Sequence, residues 1–292
     1  MKIPSYIAPS TLEEALDLLD HWGAGLRVLA GGTDVMTDLR TARLKSHSAS
    51  PTLLDVSAIP ELQKIRMEAG RLFLGAAVTF QTLEHDPQLK KLVPVLSAAA
   101  SQMGSVQVRR LATIGGNVGT ASPAGDGITP LTALEAQVQI ASRKNSRIVP
   151  LTGLITGPGR TGLAADELIH SFILNLPEEP ECFFFSKIMR RQAVAIARMN
   201  LAVQVALTES GEIRSARIAA GAVFPAPRRL QEVEQMLVGR QPEEGLFEEC
   251  GRRAVEALHA VSGRRPSMAY KEPALERLVI QGLKQACGVL PP

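Results

Sequence analysis

Hydrophobic positions near the start of the chain follow two different spacings. Apolar residues recur every three or four positions, as in an amphipathic helix, at Leu12, Ala15, Leu16, Leu19 and Trp22. Ser10 and Glu13, at the start of this pattern, form a candidate capping box, and the nearby Gly23 and Gly25 are expected to end the helix. The runs LRVLA at 26–30 and TLLDVS at 52–57 then predict two short strands. The pattern indicates a small mixed α/β unit over residues 1–57.

Residues 58–177 carry strand patterns at both ends and helical patterns between them. The run QKIRMEAGRLFLGAAV predicts two strands around a turn at Gly70. Residues 79–85 predict a short helix, and residues 89–103 predict a longer one. A glycine-rich stretch follows, and the apolar runs VQIA and ELIHSFILNLP predict further strands. We expect these residues to form a second unit.

The chain changes character after Pro177, where Pro and Glu become frequent. The run FFFSKIMRR predicts a strand, and LAVQVALTESGEIRSARIAAGAV predicts a hairpin that turns at Ser210-Gly211. Three helical segments follow, at 229–238, 243–261 and 270–286. Strands followed by helices are typical of a separate α+β domain, which we place at 178–292.

Composition narrows the class of protein. The chain of 292 residues is 45% hydrophobic with a net charge of +3, which fits a globular protein and gives no strong case for nucleic acid binding. Its three cysteines are far apart and its five histidines lack metal-like spacing, so no metal site and no disulfide framework is predicted. There is neither an apolar signal core nor an apolar run of about 18 residues. We therefore expect a cytoplasmic protein without a membrane span.

Two glycine pairs carry the strongest hint of a ligand. The segments AGGTD at 30–34 and TIGGN at 113–117 each follow an apolar stretch and add small polar side chains. Glycine permits positive φ and a close approach of the ligand, and successive amide groups in such a turn can converge on an anion. Either segment alone is also compatible with a simple chain reversal. Neither is a GxGxxG or Walker A motif, so a dinucleotide here would need another fold.

The glycine-rich stretch from Leu111 to Leu131 contains one acid, Asp126. Its glycine content argues against a helix in its first half. Asp126 is equally compatible with a cap on a helix beginning near Thr129 and with an acceptor for a ligand hydroxyl or ring N–H. The chain offers no acid–base pair or nucleophile motif, so no catalytic residue is assigned. Cofactor-holding features without acid–base groups are typical of electron transfer.

The segments AGGTD, TIGGNVGTASPAGD, GPGRT at 157–161 and FFFSKIMRR together resemble one family over essentially the whole chain. It is the FAD-binding medium subunit of molybdenum hydroxylases, such as carbon monoxide dehydrogenase and bacterial xanthine dehydrogenase. The resemblance implies an α+β fold: a vanillyl-alcohol-oxidase-type FAD-binding domain with subdomains at 1–57 and 58–177, and a C-terminal α+β domain at 178–292. The segment RRQAVAIARMN departs from the family, because many members carry an acid there.

The family resemblance also implies which residues contact the cofactor. Contacts with non-covalently bound FAD are expected at Val28, Leu29, Ala30, Gly31, Gly32, Thr33, Asp34, Val35, Met103, Thr113, Ile114, Gly115, Gly116, Asn117, Thr120, Asp126, Ile169 and Lys187. The two glycine segments would hold the diphosphate from opposite sides. Asp126 would lie in the flavin pocket.

The implied partners are a [2Fe–2S] subunit and a molybdopterin subunit, in a dimer of heterotrimers. Electrons would pass from the clusters through FAD to NAD+ or another acceptor. Two other hypotheses remain open on the residues alone. One is a stand-alone FAD-dependent oxidoreductase on the same fold, and the other is an assembly subunit that has lost its flavin.

Overall fold

A computed structural model gives the fold and describes residues 5–45, 52–179, 181–191, 194–263 and 266–289. One of the five histidines, His47, lies outside these ranges, as do residues 192–193 of the segment RRQAVAIARMN. The strands are β1 (Tyr6–Ile7), β2 (Leu26–Leu29), β3 (Thr52–Asp55), β4 (Ile65–Glu68), β5 (Arg71–Gly75), β6 (Gln137–Ala141), β7 (Ser146–Pro150), β8 (Ile155–Gly157), β9 (Arg160–Thr161), β10 (Leu168–Asn175), β11 (Cys182–Ile188), β12 (Met199–Leu207), β13 (Ile213–Gly221) and β14 (Arg228–Arg229).

The helices are α1 (Leu12–Trp22), α2 (Val35–Lys45), α3 (Pro60–Gln63), α4 (Phe80–His85), α5 (Pro87–Leu92), α6 (Pro94–Ser101), α7 (Val106–Leu111), α8 (Ile114–Thr120), α9 (Ile128–Ala133), α10 (Leu151–Leu154), α11 (Gln231–Leu237), α12 (Glu244–Ser262) and α13 (Met268–Ala286). None of these helices is long and apolar enough to cross a membrane.

The strands of the described residues form four sheets. A parallel sheet has the order β1-β3-β2, and antiparallel sheets have the orders β4-β5-β10-β6-β7, β11-β12-β13-β14 and β8-β9. Helix α1 covers the parallel sheet with the buried stripe predicted from the sequence, which includes Ala15, Leu16 and Leu19. The predicted mixture of helices and strands, of the α+β class, is confirmed.

The first helix begins one residue later than the sequence pattern suggested. The N-cap is Thr11, whose Oγ1 accepts a hydrogen bond of 3.2 Å from the amide of Glu14. The Glu14 carboxylate in turn accepts one of 2.8 Å from the amide of Ser10. The Ser10–Glu13 assignment was therefore wrong, because Glu14 rather than Glu13 reaches the exposed amides.

Two helix assignments in the middle of the chain also need correction. The single helix expected over 89–103 is two helices, α5 and α6, because Pro94 lacks an N–H and Val93 leaves helical geometry with φ −136° and ψ 57°. The glycine-rich stretch, expected to be irregular, begins with helix α8. Tertiary packing overrides the low helix propensity of glycine here: a Cβ on Gly115 would lie 2.6 Å from that of Ala76, so the helix depends on its absence.

The C-terminal unit, β11–β14 with α11–α13, lies against the rest of the chain through its sheet. Helices α11 and α13 cover one face of this sheet, and α6 and α9 meet it from the other side. Strand β12 is therefore buried from Met199 to Ala206. Leu201 and Val203 belong to the core of the C-terminal unit, whereas Ala202 packs into the neighbouring core. Because successive side chains of a strand point to opposite faces, β12 packs into both cores.

Candidate cofactor-binding site

A cavity of about 510 Å³ lies where the parallel sheet, the five-stranded sheet and helix α8 meet. This volume falls in the range typical of small-molecule sites. Both glycine segments line it, together with Gly159 and residues at the start of β10. Segments that are distant in sequence thus converge on one concave surface.

The first glycine segment leaves its amides available. Strand β2 ends at Leu29 and helix α2 begins at Val35, so the loop between them opens the N-terminus of the helix to the cavity. The amides of Gly32, Thr33 and Asp34 donate to no acceptor among the described residues. Gly32 has a φ of +70°, which only glycine adopts without strain. Free amides at a helix N-terminus are a favourable environment for an anion.

The second glycine segment is built differently. Thr113 caps helix α8, and its Oγ1 accepts a hydrogen bond of 3.0 Å from the amide of Gly116. The amide of Gly115 donates to the carbonyl of Ala76 at 2.8 Å, and that of Asn117 to Thr113 at 2.9 Å. The amides of Gly115 and Gly116 therefore already have acceptors within the chain, unlike those of the first segment. Both residues still line the cavity.

The two segments also touch each other. A Cβ on Gly31 would overlap the carbonyl of Leu111 and lie 2.8 Å from the Cα of Ala112, so only glycine fits against that backbone. The Thr120 hydroxyl donates a hydrogen bond of 3.0 Å to the carboxylate of Asp34. The cavity wall is thus one continuous surface rather than two separate loops.

Most of the residues predicted from the sequence line this cavity. They are Val28, Ala30, Gly31, Gly32, Thr33, Asp34, Val35, Met103, Thr113, Gly115, Gly116, Asn117, Thr120 and Ile169. Four others are absent from the lining that the described residues form: Leu29, Ile114, Asp126 and Lys187. Leu29 packs with Leu39 and Leu53, and Ile114 is fully buried in the central core.

Asp126 and Lys187 form a buried ion pair with an Oδ2–Nζ distance of 2.6 Å. The Lys187 side chain is 1% exposed, and its ammonium also donates to the carbonyl of Gln102 at 3.2 Å. Burial raises the pKa of Asp126 above its ordinary value, and the charge of Lys187 opposes that shift. Gly127 is the N-cap of helix α9 and no side chain caps it, so Asp126 is not the helix cap that the sequence left possible.

Some lining residues were missed by sequence reasoning. Arg27 reaches the cavity with its partner Asp38, at 2.6 Å. Glu167 lies directly before β10, and a hydrogen bond from Arg147 lowers its pKa. Further apolar residues line the wall: Val56, Leu62, Ala76, Ala77, Ala112, Leu163 and Leu168. Two lining glycines, Gly119 and Gly159, lie in the segments TIGGNVGTASPAGD and GPGRT that carried the family resemblance.

Two family profiles match the chain. Residues 2–177 match the FAD binding domain in molybdopterin dehydrogenase. Residues 184–286 match the CO dehydrogenase flavoprotein C-terminal domain. The first match contains every segment described above that lines the cavity, and the second contains Lys187 and strand β12.

Individual proteins are similar over most of their length. The chain is 32% identical over 280 residues to the nicotinate dehydrogenase FAD-subunit of Eubacterium barkeri, covering 94% of this chain and 93% of that one. It is 33% identical over 235 residues to a putative xanthine dehydrogenase FAD-binding subunit of Escherichia coli strain K12, covering 79% and 78%.

Solved structures share the fold. Quinoline 2-oxidoreductase from Pseudomonas putida 86 matches with a TM-score of 0.88 at 26% identity, covering 99% of each chain. A carbon monoxide dehydrogenase from Hydrogenophaga pseudoflava matches with a TM-score of 0.89 at 24% identity, covering 98% of this chain and 99% of that one. The latter likeness concerns the fold alone.

Proposed function

The chain belongs to the FAD-binding domain family of molybdopterin dehydrogenases, and from this we propose that it is the FAD-carrying electron-transfer subunit of a molybdenum hydroxylase complex. The observation that carries the proposal is the cavity walled by both glycine segments. The class of enzyme, an oxidoreductase, follows from the dehydrogenase subunits among its relatives.

The residues present fit an FAD diphosphate. The free amides of Gly32, Thr33 and Asp34 supply hydrogen-bond donors at the N-terminus of α2, and Gly32 permits the positive φ of this turn. On the opposite wall, the side-chain amide of Asn117 adds a donor, since its Oδ1 is already occupied by the amide of Gly127 at 3.0 Å. One wall therefore binds through backbone and the other through a side chain.

The apolar part of the cavity suits the rings of the cofactor. Val28, Met103 and Ile169 line it and would exclude water from a bound ring. When bound, FAD supplies a group that exchanges electrons both singly and in pairs. The part of this chain is to hold and orient that group, and no residue is assigned to proton transfer.

The partners belong to the same proposal. Relatives are named as subunits of nicotinate and xanthine dehydrogenases, which supports assembly with a [2Fe–2S] subunit and a molybdopterin subunit. We extend the proposal to a dimer of heterotrimers, to NAD+ or another final acceptor, and to a cytoplasmic location. The proposal also includes the division of the chain into units at 1–57, 58–177 and 178–292. It further includes contacts of FAD with Asp126 and Lys187.

Purification of the complex from its native host tests the function. We expect the chain to co-purify with iron–sulfur and molybdenum subunits and to carry one FAD, read by mass spectrometry, metal analysis and the visible spectrum. Cluster-to-flavin electron transfer should follow in rapid-mixing experiments, and adding NAD+ or artificial acceptors would identify the acceptor. A chain that takes up no FAD would overturn the proposal. An FAD-loaded chain that is reduced alone by a small substrate would favour a stand-alone enzyme.

A further inference from the structure

The segment between helices α8 and α9 is held from two sides. Towards the cavity, the amide of Gly127 donates to Oδ1 of Asn117 at 3.0 Å. Towards the C-terminal unit, the amide of Ala222 donates to the carbonyl of Pro123 at 2.7 Å. Together with the first two residues of α9 it spans residues 121–129, which we call the joint segment, and it connects the cofactor cavity with the C-terminal sheet.

A second bond across the same boundary is fully buried. The hydroxyl of Thr129, at the start of α9, donates to Oδ1 of Asn200 at 2.8 Å. Thr129 and Asn200 are both 0% exposed, so neither finds water as a substitute partner. Asn200 stands opposite Gly221 in the β12–β13 pairing, and a Cβ on Gly221 would overlap both side chains. The glycine is what leaves room for this contact.

The side chains of Asn200 and Asp126 are buried near the same boundary. Burial raises the pKa of Asp126, and Lys187 and then Asn200 act against that rise. Among the described residues, Nδ2 of Asn200 and Oδ1 of Asp126 are buried without a hydrogen-bond partner. Lys187, on the neighbouring strand, binds the other carboxylate oxygen. These residues form a polar cluster between two apolar cores.

Resting on the proposed FAD-binding function, we propose that Asn200 is a positioning residue for the cofactor cavity. It fixes Thr129, which lies two residues after Gly127 at the start of α9. Gly127 in turn fixes the side chain of Asn117, which turns its amide to the cavity. Asn200 thereby influences FAD affinity from the C-terminal unit without itself lining the cavity.

The test compares Asn200→Ala with Gln204→Ala in the full chain. Gln204 lies on the same face of β12, is 4% exposed, and has no hydrogen bond to the joint segment in the described residues. FAD is removed, and its rebinding is titrated by flavin fluorescence beside thermal melts of the flavin-free proteins. We expect Asn200→Ala to weaken FAD binding on the order of 5- to 10-fold relative to Gln204→Ala at a comparable loss of melting temperature. Equal FAD affinities would overturn the inference.

A double-mutant cycle with Thr129→Val guards against a purely structural effect. Thr129→Val keeps the side-chain volume and removes the hydroxyl, so it also serves if Asn200→Ala does not fold. We expect Thr129→Val to weaken FAD binding and the double variant to be no weaker than Asn200→Ala. If the two substitutions weaken FAD binding independently, so that their fold-losses multiply in the double variant, the inference is contradicted. Unchanged FAD affinity in Thr129→Val would contradict it as well. Failure of the unmodified chain to bind FAD would instead overturn the proposed function and this inference with it.

Discussion

Replacing Gly31 with alanine is expected to weaken FAD binding strongly. The new methyl group would overlap the backbone carbonyl of Leu111, and a backbone atom cannot rotate away as a side chain would. The two cavity walls must therefore separate. We expect FAD affinity to fall by about 100-fold, or about 2.7 kcal/mol, with a further loss of about 1–3 kcal/mol in the free energy of unfolding.

Gly25→Ala is the matched control for this prediction. Gly25 precedes strand β2 in the same unit, and no atom lies within 4 Å of the point where the methyl group of an alanine would stand. It therefore tests the effect of losing a glycine without the clash. Flavin absorbance per chain after purification, FAD titration and thermal melts would be measured for both. A Gly31→Ala protein that keeps its full flavin content would show that contact between the two walls is not needed for binding.

Lys187→Met is expected to produce the largest loss of stability. The change leaves Asp126 buried beside an apolar side chain, and breaking one half of a buried pair costs about 3–5 kcal/mol. The loss should depend on pH. Because burial raises the pKa of Asp126, its proton is held more tightly in the folded state than in the unfolded one. The deficit should be small near pH 4 and widen as pH rises through the raised pKa.

Two further variants make this prediction specific. Lys144→Met removes the exposed Lys144–Asp20 pair, of similar length at 2.7 Å, and should leave the melting temperature almost unchanged. Asp126→Asn combined with Lys187→Met removes the stranded charge and should recover part of the lost stability and most of its pH dependence. Denaturant unfolding from pH 4 to pH 8 measures all three. A deficit for Lys187→Met that is flat across this range would argue that Asp126 does not carry it.

Family membership and the fold class were predictable because their signals are local. The segments AGGTD and TIGGN, with ASPAGD, identified the family, and the matches to both domains confirm that identification. Amphipathic spacing located α1, and the alternation around Gly70 located β4 and β5. These patterns depend on residues within one element, which a single sequence displays directly.

The cavity was less predictable because its geometry depends on contacts between distant segments. No local signal shows that Gly31 lies against Leu111, or that Gly115 packs on Ala76. The same limit applies to Asp126. Its local sequence fits a helix cap and a ligand contact equally well, and its ion-pair partner Lys187 lies 61 residues away. Helix α8 was missed for a related reason, since glycine propensity is local and its packing is not.

The contact between Gly31 and Leu111 has a consequence for the order of folding. It joins positions separated by about 80 residues, and closing so long a loop carries an entropic cost that shorter contacts avoid. During synthesis, the first wall leaves the ribosome well before the second exists. We therefore expect the two walls of the cofactor compartment to meet after the local helices and hairpins have formed.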